Sequence, residues 1–485
     1  MNKHQKLANR LAALPEGVVI DRSEQHDHSV ELFVSWDEPC SVDTECPYCG
    51  RSYCVKKDSG AMQTVRHVNS GVYGTLITFH KPRFLCKKCG RTFYVKPEWV
   101  VSDICITHVL FFEIFKMLTS TSHSLAEIAR ETNTSPSIVR NVMFHTELTA
   151  PEHLPETLGI DEFKGNSGHY NRDAKRFYKE KFHCVLTDAD NGNVIDILYK
   201  ATEPELVKYF SNFPSIERAR VRYYCTDMRS GFSKAARKVF PRAKICIDPF
   251  HVVKLITDGI ATIRIDNWRR LRDIYNATNA EMEDADASGD VASAEDLKQK
   301  AVQQKLDYEL VQNSQKLLTT SPYNKSRYWT INTEKREERL AQVFALAPDL
   351  KTAYKALMTF YDVIDTESFS KRHDALTEWI SKYLHCDLPP IKQAAYSINK
   401  RRNNIENAWR YKKSNSPTEG LNKRIKDVKR LAFGIHDFET FRRRAILACG
   451  NISFLSSPYT IKGEKLRSDS DDACSSGSII KRRSS

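Results

Sequence analysis

Thr157-Leu-Gly-Ile-Asp-Glu-Phe163, Phe182-His-Cys-Val-Leu-Thr187 and Val194-Ile-Asp-Ile-Leu-Tyr199 decide the fold of this chain. Each is a short apolar run rich in β-branched and aromatic residues, which reads as a strand. The second and third flank Asp190-Asn-Gly-Asn193, the turn chemistry of a β-hairpin. A basic polar loop through Lys181 separates the first from the second. Downstream, the spacing predicts a helix over Glu203–Asn212, a strand over Val221–Thr226, a helix over Gly231–Phe240 and a strand over Ala243–Ile247. Asp248-Pro249 then caps a long helix. The order β-β-β-α-β-α-β-α is that of an RNase H-like domain, and right-handed crossovers would place strand one beside strand four at the sheet centre.

That topology makes a claim about acids. Asp161 ends strand one and Asp227 ends strand four, so parallel neighbours about 4.8 Å apart would bring both carboxylates to one edge. Two anions held close repel, and a divalent cation is the usual remedy. The plain alternative is a pair of surface acids at loop starts. A third ligand is expected from Ser416-Pro-Thr-Glu419, which opens a helix through Leu431. At about 100° per residue, Glu419, Lys423, Lys426 and Arg430 share one face, opposite Leu421, Ile425, Val428 and Ala432. One acid among cations suits metal and phosphate chemistry, although a solvated face with i,i+4 ion pairs looks the same. Asp248 and Glu406 are rival acids. Lys400-Arg-Arg402 and the arginines ending at Arg444 read as phosphate contacts.

Six of the 13 cysteines fall between Cys40 and Cys89, and four of them form the two knuckles Cys46-Pro-Tyr-Cys49-Gly50 and Cys86-Lys-Lys-Cys89-Gly90. Four thiolates so spaced suit one structural Zn2+, each glycine permitting the tight turn; Cys40 and Cys54 are possible substitutes. A redox CxxC would not account for two knuckles. Cys105, Cys184, Cys225, Cys246, Cys386 and Cys449 read as buried small hydrophobes. After an amphipathic helix over 103–120, Ser124 and Ser135 are N-caps of two short helices, with Glu127 at the capping-box position and Pro136 in the first turn. The pair reads as helix-turn-helix, its second helix offering Ser137, Arg140 and Asn141 to DNA.

Length and composition set the frame. A chain of 485 residues with 41% hydrophobic residues implies several folded domains rather than wholesale disorder. The most apolar stretch, Ile104–Leu118, is broken by His108, Glu113 and Lys116, so no spanning helix and no membrane partner is expected. The polar start shows no secretory signal, and a cytoplasmic, nucleoid-associated protein is expected. A net charge of +13 favours a polyanionic partner. The surplus is concentrated near the C-terminus, with 14 Lys/Arg against 5 Asp/Glu over Lys400–Arg444. No GxxxxGK[ST] is present, so ATP-driven DNA motion is not supported.

The expected layout is a multidomain α+β chain. A zinc ribbon (36–100) and a helix-turn-helix (103–150) precede an RNase H-like α/β catalytic core (156–255). An all-helical insertion (256–395), the core's C-terminal helices (396–460) and a disordered tail (461–485) follow.

The knuckles (the second continuing Gly90-Arg-Thr-Phe93), Leu158-Gly-Ile-Asp-Glu-Phe163, Asp248-Pro-Phe-His-Val-Val-Lys254 and Ser416-Pro-Thr-Glu-Gly-Leu-Asn-Lys-Arg-Ile-Lys426 together resemble the bacterial insertion-sequence transposases of the ISL-three family, in the same order from about residue 40 to 450. The resemblance implies a DDE-type enzyme in which Asp161, Asp227 and Glu419 bind two Mg2+ (or Mn2+) ions. Strand cleavage at terminal inverted repeats and strand transfer to target DNA would follow, with double-stranded DNA as partner and at least a homodimer in the active complex. Asp248-x-x-His251 is similar to a secondary signature of DDE groups, so His251 is a further catalytic candidate, or else a helix-packing residue. Two other readings are a non-catalytic zinc-ribbon/helix-turn-helix regulator derived from a transposase, and an RNase H-like nuclease that cuts without joining.

Overall fold

The computed structural model describes residues 12–450, apart from 16, 40–43, 147, 149–152, 167–168, 172–175, 179–180, 322–332 and 432–436. Cys40, Tyr328, Trp329, Ala432, Cys474 and the tail expected to be disordered lie outside the described residues. The chain forms two compact units, residues 1–150 with 423–485 and residues 151–422.

The first unit opens on a sheet of seven strands: β1 (Val18–Gln25), β2 (Ser29–Trp36), β3 (Cys54–Ser70), β4 (Tyr73–Cys86), β5 (Thr92–Tyr94), β6 (Val100–Val101) and β7 (Ile106–Thr107). Their order is β1-β2-β4-β3-β7-β6, with β5 paired to β4. The sequence reading placed no element before residue 36. The β1–β2 hairpin escaped it because only Val18, Leu32 and Val34 of these strands are buried, too few for a period-2 signal. β3 and β4 form a long antiparallel ladder in which Cys54 pairs with Cys86, so the hairpin carries the second knuckle at its end.

The helix expected over 103–120 is shorter and better capped than its apolar run suggests. A 3-10 turn over Ser102–Ile104 ends at Cys105 with φ 52°, and the Thr107 side chain caps α1 (His108–Leu118). Ser124 and Glu127 form a reciprocal capping box on α2 (Leu125–Glu131), and Ser135 caps α3 (Pro136–His145) with Pro136 in the first turn. Ile128, Ala129, Val139 and Val142 bury one stripe of each short helix against Leu110, Ile114 and Leu118 of α1.

The second unit holds β8 (Thr157–Asn166), β9 (His169–Asn171), β10 (Arg176–Tyr178), β11 (Lys181–Asp188), β12 (Asn193–Leu198), β13 (Tyr223–Thr226) and β14 (Lys244–Ile247). The main sheet has the order β12-β11-β8-β13-β14, so the first strand does lie beside the fourth. β11 pairs antiparallel with both β8 and β12, while β13 runs parallel to β8 and β14. Two details differ from expectation. β8 continues past Asp161 to Asn166, because β11 pairs with its far end even where β13 does not. The segment read as a loop contains the small β9–β10 hairpin.

Crossover helices α4 (Glu203–Ser211), α5 (Ser215–Arg220) and α6 (Ser230–Val239) follow β12 and β13. Leu158 and Ile160 of β8 bury themselves with Leu186, Tyr224, Leu206, Phe210 and Phe232. Each such side chain contributes about 1.5–3 kcal/mol. Pleating sends Gly159 and Asp161 to the other face.

Asp248 caps α7 (Pro249–Ser288), a 40-residue helix about 60 Å long at 1.5 Å per residue. It pairs with α8 (Val291–Gln312) across Gly289, which holds φ 79°, and the acidic 281–296 stretch forms this helix end and turn. Then come α9 (Gln315–Thr319), α10 (Thr333–Leu346), α11 (Pro348–Asp365), α12 (Phe369–Leu384), α13 (Pro389–Lys400) and α14 (Arg402–Tyr411). Leu357, Phe360, Trp379, Ile398 and Ile405 share a core with Ile256 and Ile260 of α7. No strand follows β14 among the described residues.

α14 covers the second face of the sheet. Ala408 packs on Cys225 and Cys246, and Asn407 donates to the Ile245 carbonyl at 3.1 Å. α15 (Ser416–Leu431) and α16 (Phe438–Cys449) close the described chain.

Candidate active site

The four knuckle cysteines form a closed cluster. Their sulfurs all lie within 4.8 Å of one another, with Cys46–Cys89 and Cys49–Cys86 each at 3.7 Å. A tetrahedral zinc at the usual Zn–S length of about 2.3 Å requires sulfur–sulfur edges of about 3.8 Å. The local backbone makes this shape: Gly50 N–H donates to Cys46 O and Gly90 N–H to Cys86 O, with φ 66° and 73° at the two glycines. An L side chain is strained there, which is why both knuckles end in glycine. Backbone N–H groups, first that of Cys89, hold the Cys86 thiol down to about 6, whereas Cys49 and Cys89, against their own backbone hydrogen bonds, are pushed up by burial and the neighbouring thiols. Cys54 stands outside the four and is pushed up to about 11, first by burial. The donor set fits structural zinc.

The carboxylate site is assembled from four elements. Tyr223, Tyr224 and Cys225 of β13 pair with Thr157, Leu158 and Gly159 of β8, so Asp227 and Asp161, each two residues beyond the last pair, lie at the same end of the two strands. Asp161 Oδ1 accepts from Glu162 N at 2.7 Å and Oδ2 from Asn422 Nδ2 at 2.6 Å. Burial pushes the Asp161 carboxyl up; the Glu162 N–H and His251 oppose this, and the charge on Asp227 adds to it. His251, in the first turn of α7, brings Nε2 to 3.4 Å from Glu419 Oε1. Asp227 Oδ1 accepts from Arg229 N at 2.8 Å, and the Arg229 guanidinium bridges Asp227 and Glu162.

Among the described residues, the groups whose ligand atoms converge within 4.8 Å are the four cysteines and the surface set Glu24, His26 and Glu31. Asp161, Asp227 and Glu419 are less tightly drawn together. Their chemistry still fits a divalent cation: a buried carboxyl destabilised by a second acid gains most from a shared positive charge. An open depression of about 280 Å3 beside them is lined by Asp227, Arg229, His251, Lys254 and Asp258.

α15 reaches the sheet because of one glycine. A Cβ on Gly159 would lie 2.3 Å from Thr418 Oγ1 and 2.4 Å from Thr187 Oγ1, so only glycine admits the first turn of the helix. Thr418 and Thr187 hydroxyls bond at 2.6 Å, and Asn415 Nδ2 donates to Ile160 O at 3.0 Å.

The rival acids are occupied. Asp248 Oδ1 accepts from Phe250 N, and its Oδ2 takes Ser414 Oγ at 2.9 Å and Asn415 N at 2.6 Å. It anchors the turn that starts α15. Glu406 accepts from Arg402 Nε at 2.8 Å and lies 2.9 Å from His373 Nδ1.

Of the residues expected at DNA, Ser137, Arg140 and Asn141 share the exposed face of α3, and Lys423, Lys426 and Arg430 are exposed on α15. Leu421, Ile425 and Val428 are buried, as the helical wheel requires. Arg140 is partly committed, 3.7 Å from Asp437 and donating to Thr440, while Arg430 pairs with Asp427 at 3.0 Å. The arginines ending at Arg444 are not surface phosphate contacts. Arg444 is 2% exposed and donates to the carbonyls of Leu118, Ser120 and His123, while Arg442 and Arg443 pair with Glu439. Asn422, Asn415, Arg229 and Lys254 escaped the sequence reading. Asn422 and Lys254 stand inside motifs that the sequence offered, Asn422 one helical turn after Glu419, but no role was read for either.

A knuckle-built ribbon ahead of a five-stranded α/β unit with acids at adjacent strands is what a transposase with a zinc finger presents. Residues 158–445 match the transposase family ISL3, and residues 43–89 match the zinc finger of the transposases of IS204, IS1001, IS1096 and IS1165. The chain belongs to the ISL-three (ISL3) family of transposases. It is similar to the transposase for insertion sequence element IS1557 of Mycobacterium tuberculosis, 22% identical over 406 residues that span 83% of this chain and 85% of the relative. It is also similar to the transposase for IS1001 of Bordetella parapertussis, 22% identical over 435 residues, 88% of this chain and 94% of the relative. No helix among the described residues is long and apolar enough to cross a membrane.

Proposed function

We propose that this transposase cuts and joins DNA at the terminal inverted repeats of an insertion sequence, with Asp161, Asp227 and Glu419 holding divalent metal in an RNase H-like core. The observation that carries the reading is the β8–β13 register, whose offset aligns Asp161 with Asp227 while His251 links Glu419 to the same edge. Bound Mg2+ or Mn2+ would polarise the scissile phosphate and lower the pKa of the attacking hydroxyl. The chain's own residues bind and orient. Asp161 on β8 and Asp227 just past β13 would supply hard oxygen ligands, and Glu419 would supply a third from α15. His251 orients Glu419, and Arg229 and Lys254 offer cations to the phosphates of the strand being cut. Water, and then a DNA 3′-hydroxyl, displaces the 3′-oxygen at phosphorus, so no covalent enzyme intermediate is needed.

The zinc ribbon and the α2–α3 pair, read as helix-turn-helix, would hold the inverted repeats, with Ser137, Arg140 and Asn141 facing DNA. Lys423, Lys426 and Arg430 would grip phosphates. Pairing two ends implies at least a dimer in the active complex.

The test is an assay on DNA carrying the element's own two ends with Mg2+ or Mn2+. Wild type should cut and join, while Asp161→Ala, Asp227→Ala and Glu419→Ala bind DNA but lose activity by about 10²–10³-fold, the scale of a lost transition-state charge stabiliser. Full activity in Glu419→Ala would remove it from the site. Binding without cleavage by wild type would defeat the enzymatic reading.

A further inference from the structure

Asp161 is held at both oxygens before any ligand arrives. Oδ1 is taken by the backbone N–H that follows it, which any residue but proline at 162 would supply. Oδ2 is taken by a single side chain, Asn422, at 2.6 Å. A carboxylate only accepts, so the amide nitrogen of Asn422 must face it. Asn422 Oδ1 finds no hydrogen-bond partner among the described residues, so Asp161 alone sets the orientation of that amide. The residue is 4% exposed and cannot be a solvent-facing contact to DNA.

We propose that Asn422 is a positioning residue for metal binding: it locks the plane of the Asp161 carboxylate so that each oxygen keeps one lone pair aimed at the ion. This rests on the reading of Asp161 as a metal ligand. Asparagine suits the task because it donates without charge. Lys or Arg would compete with the cation, and Asp would repel Asp161. Its place in the chain adds a second role. Asn422 lies three residues after Glu419 on α15, about 4.5 Å along the axis, so one rigid helix carries one ligand and the orienter of another. That helix is itself seated by Asp248 on Ser414 and Asn415, by Asn415 on Ile160, and by Thr418 on Thr187. Groups that orient metal-binding carboxylates typically change affinity or activity by about 10–100-fold when removed.

The experiment measures Mn2+ binding by electron paramagnetic resonance on zinc-loaded, full-length protein without DNA, beside thermal melting. Asn422→Leu keeps the number and branching of side-chain heavy atoms and removes the donor. It should weaken Mn2+ binding by about 10–100-fold with an unchanged melting transition, and raising Mn2+ should restore much of its strand cleavage. Asn422→Ala should do the same if the leucine variant fails to fold. Loss of Mn2+ binding in Asp161→Ala with wild-type binding in both Asn422 variants overturns the proposal and leaves the site reading intact. Wild-type Mn2+ binding in Asp161→Ala overturns both. Loss of the melting transition in both Asn422 variants would make the residue structural and end the proposal.

Discussion

The zinc knuckles and the carboxylate edge, proposed to hold divalent metal, are built on opposite plans. The four sulfurs come from two copies of one five-residue turn and lie within 4.8 Å of one another, two pairs at 3.7 Å, close to what zinc requires. The acids come from β8, β13 and α15, separated by up to 258 positions between Asp161 and Glu419, and they converge less tightly. A closed tetrahedral site holds structure together. An open set of hard oxygen ligands leaves positions for a substrate. The difference teaches where each site stores its precision: in local turn geometry for the ribbon, and in the seating of one helix on a sheet for the acids.

Cys86→Ser attacks the local plan and should have the largest effect. Zinc content should fall from one ion per chain to none. The ribbon should then unfold, because binding worth about 10–16 kcal/mol in isolated zinc fingers is folding energy there. Retained zinc on metal analysis would mean that Cys54 or another ligand substitutes.

Gly159→Ala attacks the distributed plan. The new Cβ cannot coexist with Thr418 and Thr187 at 2.3 and 2.4 Å, so α15 must shift at a cost of about 1–3 kcal/mol. Strand cleavage should suffer more than stability, falling about 100-fold as the acids lose alignment. Equal and small losses in melting and cleavage would show that the seating of α15 is not what aligns them.

The two regions should also respond oppositely to pH. His67 is 2% exposed, its ring bonded to Thr107 Oγ1 at 2.8 Å and to Ala12 O at 2.6 Å, and burial pushes its pKa below 6.5. The native state then holds fewer protons than the unfolded chain. Its contribution is complete above about pH 6.5 and is lost as pH falls toward the depressed value. Asp161 has the other sign: with its pKa raised above 3.8, it stabilises below that value and loses the contribution as pH rises through the folded pKa. Melting of the first unit should therefore drop between about pH 7.5 and about pH 5.5, and drop less in His67→Gln. Parallel curves for the two proteins would assign the acid sensitivity elsewhere.

The contrast also explains what could be read in advance. Cys46, Cys49, Cys86 and Cys89 were legible because two-residue spacing and a following glycine are local properties. So were the caps Ser124, Ser135 and Asp248, where short polar side chains bond to N–H groups two or three residues on. The β1–β2 hairpin was not legible, since its strands bury too little to pattern. Arg444 misled: three successive arginines look like a phosphate patch, and only packing shows that Arg444 closes carbonyls at the end of α1 and in the turn before α2.

By itself the chain's order of residues determined the main strands and crossover order of the α/β unit and the zinc cluster, though not the β9–β10 hairpin or α5, because alternation, turn chemistry and crossover handedness act over short distances. Tertiary structure alone decided that Asp248 anchors α15, that Asn422 holds Asp161, and that Gly159 admits the helix. These are contacts between residues as much as 261 positions apart, as between Asp161 and Asn422. Their energies depend on ångström-scale fit that no local pattern encodes.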